Sequence, residues 1–541
     1  MGPRHIAVAV AGRPCGAKVP TNPALAVEDL YVTQTDVPKD RTDLDLADPM
    51  DVSDRLTSIE QHGIEFIPDA ERASRPSNLF YILFGGSLTF SLIIIGWFPI
   101  AFGLGWWSAF TSVVVGSAIG AALLAPMGLM GPRAGTNNPV ASGAIFGVVG
   151  RIVGSLLEAT ASLAFAALSI WTGGDALVGG MKSLFGIDDN AITRIVAYAV
   201  LSIIVTVVSV LGHNMMVAAQ KFMVPTAGLA MLVGVFVYQP HFNSHYKGTG
   251  TYVLGSFWPT WILAMLVSLS TVASYGAYAG DWTRHISRER FSDRRVVTAM
   301  FLGGFIGMGG PFLWGTYTSA AIFSAHAADA NTPYVFGLVK VAPLWYVPAL
   351  IYLGLASGTA QAVINTYGTG LDTSSMIPKL NRVQATLVAC VGATVLVYAG
   401  YFYSGLINSV SVFLSLLAIC SVPWIVIMTI GFFHRRGFYH VEDLQVFNRG
   451  ERGGHYWFQH GINWRALGVW LVAVVVGFFF TNTAWYVGPG TKLTGGADIG
   501  FIVGALISVI AYPLALKLWP EPRAVFTPAK VPAPRVDADR T

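Results

Sequence analysis

The chain has 541 residues, of which 54% are hydrophobic and only 11% are charged, with a formal net charge of +4. Soluble domains carry about 25% charged residues, so this composition excludes an ordinary soluble protein and predicts a polytopic membrane protein. Three cysteines are too few for a disulfide framework. The small net charge gives no indication of nucleic-acid binding, and we expect no nucleic-acid partner. The sequence lacks Walker-type, CxxC and HExxH motifs, so ATP-driven transport by this chain alone is not expected.

Residues 1–77 form a tail that is rich in Asp, Pro, Thr and Arg and contains no stretch long enough to cross a membrane. Its apolar run at 6–12 is short and is followed at once by Arg13, which is not typical of a cleaved signal peptide. We therefore predict a mostly disordered cytoplasmic tail with one short helix at 54–62. Residues 520–541 are predicted to form a second cytoplasmic tail.

Twelve apolar stretches between these tails form a predicted membrane domain at 78–519. Each has close to the roughly 20 residues that cross the hydrocarbon core as a helix. The predicted spans 1 to 12 lie at 78–104, 107–130, 151–178, 192–212, 217–238, 257–280, 296–323, 346–371, 384–403, 407–433, 466–487 and 499–519.

The distribution of positive charge predicts how these spans are oriented. With the N-terminus inside, the inner loops carry fourteen Lys and Arg residues and the outer loops carry five. Because Lys and Arg are favoured in cytoplasmic loops, we expect both termini in the cytoplasm and an even number of spans. The expected location is the plasma membrane or a bacterial inner membrane.

Span 3 carries a polar face. Glu158, Ser162, Phe165 and Ser169 are spaced by four, three and four residues, so they share one side of a helix. An ionisable residue inside an apolar span is expensive and marks a functional site by default. The alternative for Glu158 is a structural ion pair with Arg151 or another arginine of the inner loops.

Spans 1 and 6 contain small and polar interruptions. Span 1 has Gly85, Gly86 and Ser87 together, and span 6 has a cluster of serines, Thr271 and Gly276 past its middle. Interrupted helices at corresponding places in two halves predict an inverted-repeat transporter that binds its substrate between unwound segments. The alternative is that the small residues only permit close packing of helices.

Four motifs, in a fixed order, carry a resemblance to a known family. They are GPRAGTNNP at 131–139, FGVVGR at 146–151, DWTRH at 281–285 and NTY at 365–367. From about residue 63 to residue 519 the chain resembles the nucleobase:cation symporter-1 family, and within it the purine–cytosine permease branch. The resemblance implies an all-α, leucine-transporter-like fold. In that fold spans 1–5 (about 78–238) and 6–10 (about 257–433) are inverted repeats, and spans 11 and 12 (466–519) are additions.

The resemblance also implies a substrate site. In the family an aromatic on span 3 and another on span 6 sandwich a planar heterocycle, while span 1 backbone and polar groups of spans 3 and 8 bond its edges. The matching positions are Phe165, where the family usually has Trp, Ser169, where it often has an amide, and Tyr275. Ser87 is the expected contact from span 1. Ordinary core packing or an interfacial aromatic is the alternative for Phe165 and Tyr275.

Span 8 places Ser357, Gln361 and Asn365 on one helical face at i, i+4 and i+8. Two amides in an apolar span are costly unless they have partners. An amide pairs a donor with an acceptor, which matches the edge of a pyrimidine, a purine or a hydantoin. We predict that Gln361 and Asn365 bind substrate, and hydrogen bonding between helices is the alternative.

The coupling ion is predicted to be a proton or sodium. Thr359 matches a hydroxyl ligand of the family's sodium site, but Ala360 stands where sodium-coupled members often have a second hydroxyl. Glu158 offers a proton-carrying alternative. Asp281 and Arg284, at the inner end of span 6, are predicted to be gating or structural residues, with no resident metal beyond a possible sodium at Thr359.

These observations together predict a secondary active symporter that imports cytosine or a purine. Allantoin, a hydantoin or a pyrimidine-like vitamin is the alternative substrate. A membrane-embedded substrate sensor or a membrane enzyme would be a different class, but no catalytic residues are predicted. Apart from the coupling ion, no cofactor is expected. The expected partners are a small planar heterocycle and membrane lipids, with no oligomer required.

Overall fold

The computed structural model describes residues 64–211, 213–326, 333–377, 379–403, 406–483 and 485–526. The helix predicted at 54–62 and most of both predicted tails lie outside these residues. The described N-terminal segment 64–75 runs into the first helix at Pro76, two residues before the predicted start of span 1.

Helices occupy all twelve predicted span positions. They are Pro76–Ser87 with Phe90–Ala101 (span 1), Trp106–Met127 (span 2), Ile152–Phe185 (span 3), Ala191–Leu211 (span 4), His213–Tyr238 (span 5), Phe257–Thr283 (span 6), Asp293–Leu302 with Gly309–Ser324 (span 7), Val347–Tyr352 with Gly358–Met376 (span 8), Arg382–Tyr403 (span 9), Leu406–His434 (span 10), Trp464–Phe479 (span 11) and Gly500–Leu518 (span 12). Shorter helices at Met130–Ala134, Asn138–Ala141, Gly143–Phe146, Tyr334–Val341 and Val441–Leu444 lie in the connections.

Length and hydropathy identify nine helices in the described part of the chain that could each cross a membrane, and a tenth if the two halves of span 1 count as one. Span 11 is apolar but has only 16 residues in its helix. The predicted number of twelve is consistent with this arrangement without being established by it.

Span 1 is broken in its middle. Its halves Pro76–Ser87 and Phe90–Ala101 are bent by 66°, and Thr89 between them is extended, with φ −135° and ψ 150°. The break follows the predicted Gly85–Ser87 interruption by one residue. Gly86 is needed for close approach, because a Cβ there would lie 2.7 Å from the Gln361 side-chain oxygen on span 8.

The predicted interruption of span 6 is wrong, because Phe257–Thr283 is one continuous helix of 27 residues. Hydroxyl groups of the predicted interruption donate hydrogen bonds to carbonyl groups, and the helix stays regular. Thr271 donates to the Val267 carbonyl at 2.8 Å, and Ser270 donates to Leu414 of span 10 at 2.7 Å. Hydroxyls that bond back to a preceding turn are compatible with an intact helix. Spans 7 and 8 carry the irregular segments instead, as π-helical turns at Gly303–Met308 and Leu353–Ser357.

The 131–139 motif fixes the inner half of span 6 to span 2. The Asn138 amide donates to the Gly276 carbonyl at 2.7 Å and to the Met127 carbonyl at 3.1 Å. Gly280 permits this contact, since a Cβ there would lie 2.3 Å from the Asn138 backbone nitrogen. The motif therefore has a structural role in positioning the helix that carries Tyr275.

Candidate substrate and ion site

Two predicted aromatic residues meet between spans 3 and 6. Phe165 and Tyr275 are both at least 98% buried, and their ring centroids lie 6.2 Å apart at a tilt of 54°. Phe413 of span 10 adds an edge contact to Phe165 at 5.7 Å, a neighbour that the sequence did not indicate. Rings at this distance touch each other. A planar ligand would therefore enter between them only after one ring turned aside.

The two amides of span 8 lie in the same region but differ in their partners. Gln361 donates to the Tyr275 hydroxyl, and its side-chain oxygen lies next to Gly86 of span 1. Asn365, one turn further along, is fully buried, and neither its amide oxygen nor its amide nitrogen has a hydrogen-bond partner among the described residues. An unpaired buried polar group costs about 1–3 kcal/mol. A ligand with its own donor and acceptor would remove that cost.

The predicted hydroxyls bond within the protein. The Ser169 hydroxyl, which has one proton to donate, lies 2.8 Å from both the Phe165 carbonyl oxygen and the Ser91 hydroxyl oxygen, so it ties span 3 to the second half of span 1. Ser87 donates to the Leu83 carbonyl in its own helix at 2.6 Å. Ser91 follows the break by two residues and was not singled out from the sequence. In this conformation these serines shape the site rather than present free donors.

Thr359 is partly buried and donates to the Leu355 carbonyl of its own helix at 2.7 Å. Its neighbour Gly358 faces the break in span 1, because a Cβ there would lie 3.8 Å from the Thr89 hydroxyl oxygen and 3.3 Å from the Ser169 carbonyl. The assignment of sodium to Thr359 stays a prediction.

Three buried carboxyl groups meet near the ends of spans 3, 6 and 8 that are predicted to face the cytoplasm. Glu158 lies within hydrogen-bonding reach of Asp281 and Asp372, and all three residues are at most 1% exposed. A Cβ on Gly368 would lie 3.4 Å from a Glu158 oxygen and 3.3 Å from an Asp281 oxygen. We call Glu158, Asp281 and Asp372 the carboxyl cluster.

Asp372 was missed from the sequence because span 8 was predicted to end at 371. A signal was present, since Asp372 continues the face of Gln361 and Asn365 seven residues after Asn365. Arg151, the predicted alternative partner of Glu158, acts electrostatically on Asp372. Arg151 also donates to Asn448 at 2.5 Å. Arg284 is fully buried and donates to the Tyr367 hydroxyl at 3.3 Å.

A segment before span 1 covers the predicted inner side of this region, and we call residues 64–75 the inner strap. Asp69 accepts hydrogen bonds from Ser287 at 2.5 Å and from the Arg288 backbone at 3.0 Å, in the loop after span 6. Arg72 donates to the Pro132 carbonyl at 2.6 Å. Burial raises the pKa of Asp69, but the Ser287 and Arg288 hydrogen bonds and the charge of Arg72 outweigh it and hold the pKa below its ordinary value. The strap thus binds the loops at the inner ends of spans 2 and 6.

Comparison with known proteins agrees with the predicted resemblance. Residues 66–504 match the family described as permeases for cytosine/purines, uracil, thiamine and allantoin. A putative purine-cytosine permease of Bacillus subtilis is 23% identical over 475 residues, which covers 85% of this chain and 96% of that protein. An uncharacterised permease of Schizosaccharomyces pombe is 21% identical over 490 residues, covering 84% of this chain and 79% of that protein.

Solved structures share the fold. Mhp1, a nucleobase-cation-symport-1 family transporter solved closed with bromovinylhydantoin bound, superposes with a TM-score of 0.66 at 18% identity, covering 87% of this chain and 98% of Mhp1. A Na+-coupled sialic acid symporter superposes with a TM-score of 0.53 at 13% identity, covering 84% of this chain and 92% of that chain. The predicted all-α, leucine-transporter-like fold is confirmed.

Proposed function

Because the chain belongs to the family of permeases for cytosine/purines, uracil, thiamine and allantoin, we propose that it imports a nucleobase, cytosine or a purine, by cation-coupled alternating access. Members of this family are permeases, so the chain is a multi-pass membrane transporter and not an enzyme. The proposed location is the plasma or inner membrane with both termini in the cytoplasm, and the transporter requires no oligomer.

The observation that carries this proposal is the buried Asn365 amide, which has no hydrogen-bond partner in the described part of the chain and lies on the helix face that holds Gln361 against Tyr275. A nucleobase has a planar ring that can stack on Phe165 and Tyr275. Its edge offers the donor and acceptor that the Asn365 amide lacks. The bound substrate therefore supplies the hydrogen-bond partners that the Asn365 amide lacks within the described part of the protein.

A second candidate substrate is a hydantoin, allantoin or a vitamin with a pyrimidine-like ring. Mhp1 was solved with a hydantoin bound, and its structure covers 87% of this chain. Phe165 has no indole donor, and the short Ser169 side chain is already hydrogen-bonded within the protein. Span 3 therefore offers few side-chain groups that could distinguish one planar ligand from another. Both candidates use the same ring pair and the same amide.

The coupling ion in this proposal is a proton carried by Glu158 or sodium held near Thr359. The Na+-coupled sialic acid symporter shares the fold and supports coupling to a cation in general. The full burial of Glu158 between spans supports the proton. Beyond the coupling ion, the proposed mechanism uses no cofactor.

Thermal-shift screening of the purified chain tests the substrate class. Nucleobases, hydantoins and vitamins are each added with and without sodium, and stabilising compounds are then tested for uptake into proteoliposomes. We expect cytosine or a purine to raise the melting temperature and to be accumulated. Stabilisation only by a hydantoin, allantoin or a vitamin would favour the second candidate. Binding without flux would instead favour a membrane-embedded sensor.

A further inference from the structure

We propose that the carboxyl cluster of Glu158, Asp281 and Asp372 shares one exchangeable proton, and that this proton drives uptake. The proposal rests on the proposed function and identifies the binding site of its coupling ion. It also extends the site from one carboxyl on span 3 to three carboxyls on three helices.

The first argument is the hydrogen bonding of Glu158. Neither oxygen of its fully buried carboxyl has a hydrogen-bond donor among the described residues. The groups within its reach are the carboxyls of Asp281 and Asp372. Ionised carboxylates only accept hydrogen bonds, and a protonated carboxyl can donate one. The contact between these side chains is therefore a hydrogen bond only when a proton lies in the cluster.

The second argument is charge. Among the described residues, the groups that face the cluster include Arg151 at the start of span 3, which acts on Asp372, and Tyr278 of span 6, which lies beside Glu158 and Asp372. Arg284 follows Asp281 by three residues on the same helix and is fully buried. Counted over these described residues, two arginines face three carboxyls, so one excess negative charge remains even if both arginines balance carboxylates. An uncompensated charge away from water is costly, and one bound proton removes it.

A third observation is a buried hydroxyl beside the cluster. The Tyr278 hydroxyl is fully buried near Ser162 and Glu158, and it has no partner at hydrogen-bond geometry among the described residues. A hydroxyl can donate to an ionised carboxylate or accept from a protonated carboxyl. The Tyr278 hydroxyl can therefore hydrogen-bond to the cluster both before and after the proton is released.

The helices connect the cluster to the substrate site. Glu158 precedes Phe165 by seven residues on span 3, Asp281 follows Tyr275 by six on span 6, and Asp372 follows Asn365 by seven on span 8. At 1.5 Å per residue each carboxyl lies about 9–10 Å along its helix from a predicted substrate contact. Each displacement points to the cytoplasmic side in the predicted orientation. The continuous helix of span 6 makes this connection rigid.

This arrangement gives a mechanism for coupling. When spans 3, 6 and 8 pack together, the carboxyls share the proton in a dry environment. When these helices separate on the inner side, water reaches the carboxyls and lowers the free-energy cost of ionising them. The proton is then released to the cytoplasm. One proton bound from outside and released inside moves with each substrate molecule, and the carboxyl O–H bond that forms on binding is the bond that breaks on release.

Proteoliposomes containing the purified transporter test the proposal. Substrate exchange and accumulation under an imposed inward pH gradient are measured for wild type, Glu158→Gln and Asp372→Asn. We expect both variants to retain measurable exchange and to lose accumulation, with the internal substrate concentration staying near the external one. The matched control is Asp175→Asn, because Asp175 is also buried in span 3 but accepts a hydrogen bond from Tyr198 at 2.8 Å and is paired with Arg194. This control should still accumulate substrate.

A second readout does not depend on transport. Infrared difference spectroscopy should show the C=O band of a protonated carboxyl in wild type that is lost in Glu158→Gln, because two carboxylates then balance two arginines. Retention of that band, or pH-driven accumulation by Glu158→Gln, would overturn the proposal. Wild type that accumulates substrate only with a sodium gradient would overturn the proton site and leave symport intact. Wild type that transports no heterocycle would overturn the proposed function itself.

Discussion

The side-chain amide of Gln361 donates a hydrogen bond to the Tyr275 hydroxyl, and this bond joins span 8 to span 6 inside the candidate site. The same amide presents its oxygen to Gly86 beside the break in span 1. One side chain of span 8 therefore contacts both span 1 and span 6. The bond also fixes the orientation of the ring that is proposed to stack on the substrate.

Substitution of Tyr275 separates the contribution of the ring from that of the hydroxyl. Tyr275→Phe keeps the ring and leaves the Gln361 amide nitrogen unpaired, so we expect affinity to fall by about 1 kcal/mol. Tyr275→Ala also removes stacking, which is worth about 1–3 kcal/mol per base, so the loss should be larger. Equilibrium binding of radiolabelled substrate measures both variants. Equal losses would indicate that the hydroxyl and not the ring carries the effect.

Asn365→Ala should weaken substrate binding about 5- to 150-fold while the protein remains folded. In the complex it leaves a buried polar edge of the substrate unpaired, which costs roughly 1–3 kcal/mol. Binding affinity and the melting temperature without substrate are measured together. Thr394→Ala of span 9 is the control, because the Thr394 hydroxyl donates to the Cys390 carbonyl of its own helix. Wild-type affinity in Asn365→Ala would remove Asn365 from the site.

Gly86→Ala should weaken substrate binding through a steric effect at the break in span 1. The added Cβ would lie 2.7 Å from the Gln361 side-chain oxygen and 2.8 Å from Ile364. Overpacking of this kind costs about 1–3 kcal/mol and would displace Gln361 from Tyr275. Gly468→Ala in span 11 is the control, because a Cβ there meets nothing within 4 Å. An unchanged dissociation constant for Gly86→Ala would show that Gln361 can shift to accommodate the added methyl group without weakening substrate binding.

Asp69→Asn should loosen the inner strap. The folded pKa of Asp69 is below its ordinary value, so the stabilisation by the carboxylate is complete above the unfolded pKa of about 3.9 and is lost as pH falls through the folded pKa. Amide hydrogen exchange over residues 64–75 should therefore change little in wild type between about pH 5 and 8, after correction for intrinsic exchange. The variant should exchange faster throughout that range. Glu71→Gln, an exposed carboxylate in the same turn, is the control. Equal protection in Asp69→Asn and Glu71→Gln would contradict the role of Asp69.

The sequence by itself determined the features that depend on one helix at a time. Hydropathy gave the positions of the twelve predicted spans, and helical periodicity placed Glu158, Phe165 and Ser169 on one face because residues three and four apart are neighbours on any helix. The amide face of span 8 followed from the same rule. The fold class came from a resemblance across 63–519, which the family match at 66–504 then confirmed.

Only the tertiary structure decided which faces meet and whether a helix opens. Asp372 joins Glu158 and Asp281 because spans 3, 6 and 8 pack together, and periodicity within one helix contains no information about that partner choice. Span 6 is continuous, and its Ser270 donates to the Leu414 carbonyl on span 10, a contact that its own sequence cannot reveal. Span 1 breaks at Leu88 and Thr89, where a single extended residue turns the chain by 66° between packed neighbours. The Asp372–Glu158 contact and the Ser270–Leu414 hydrogen bond both join residues far apart in the chain, so neither can be deduced from the periodicity of a single helix.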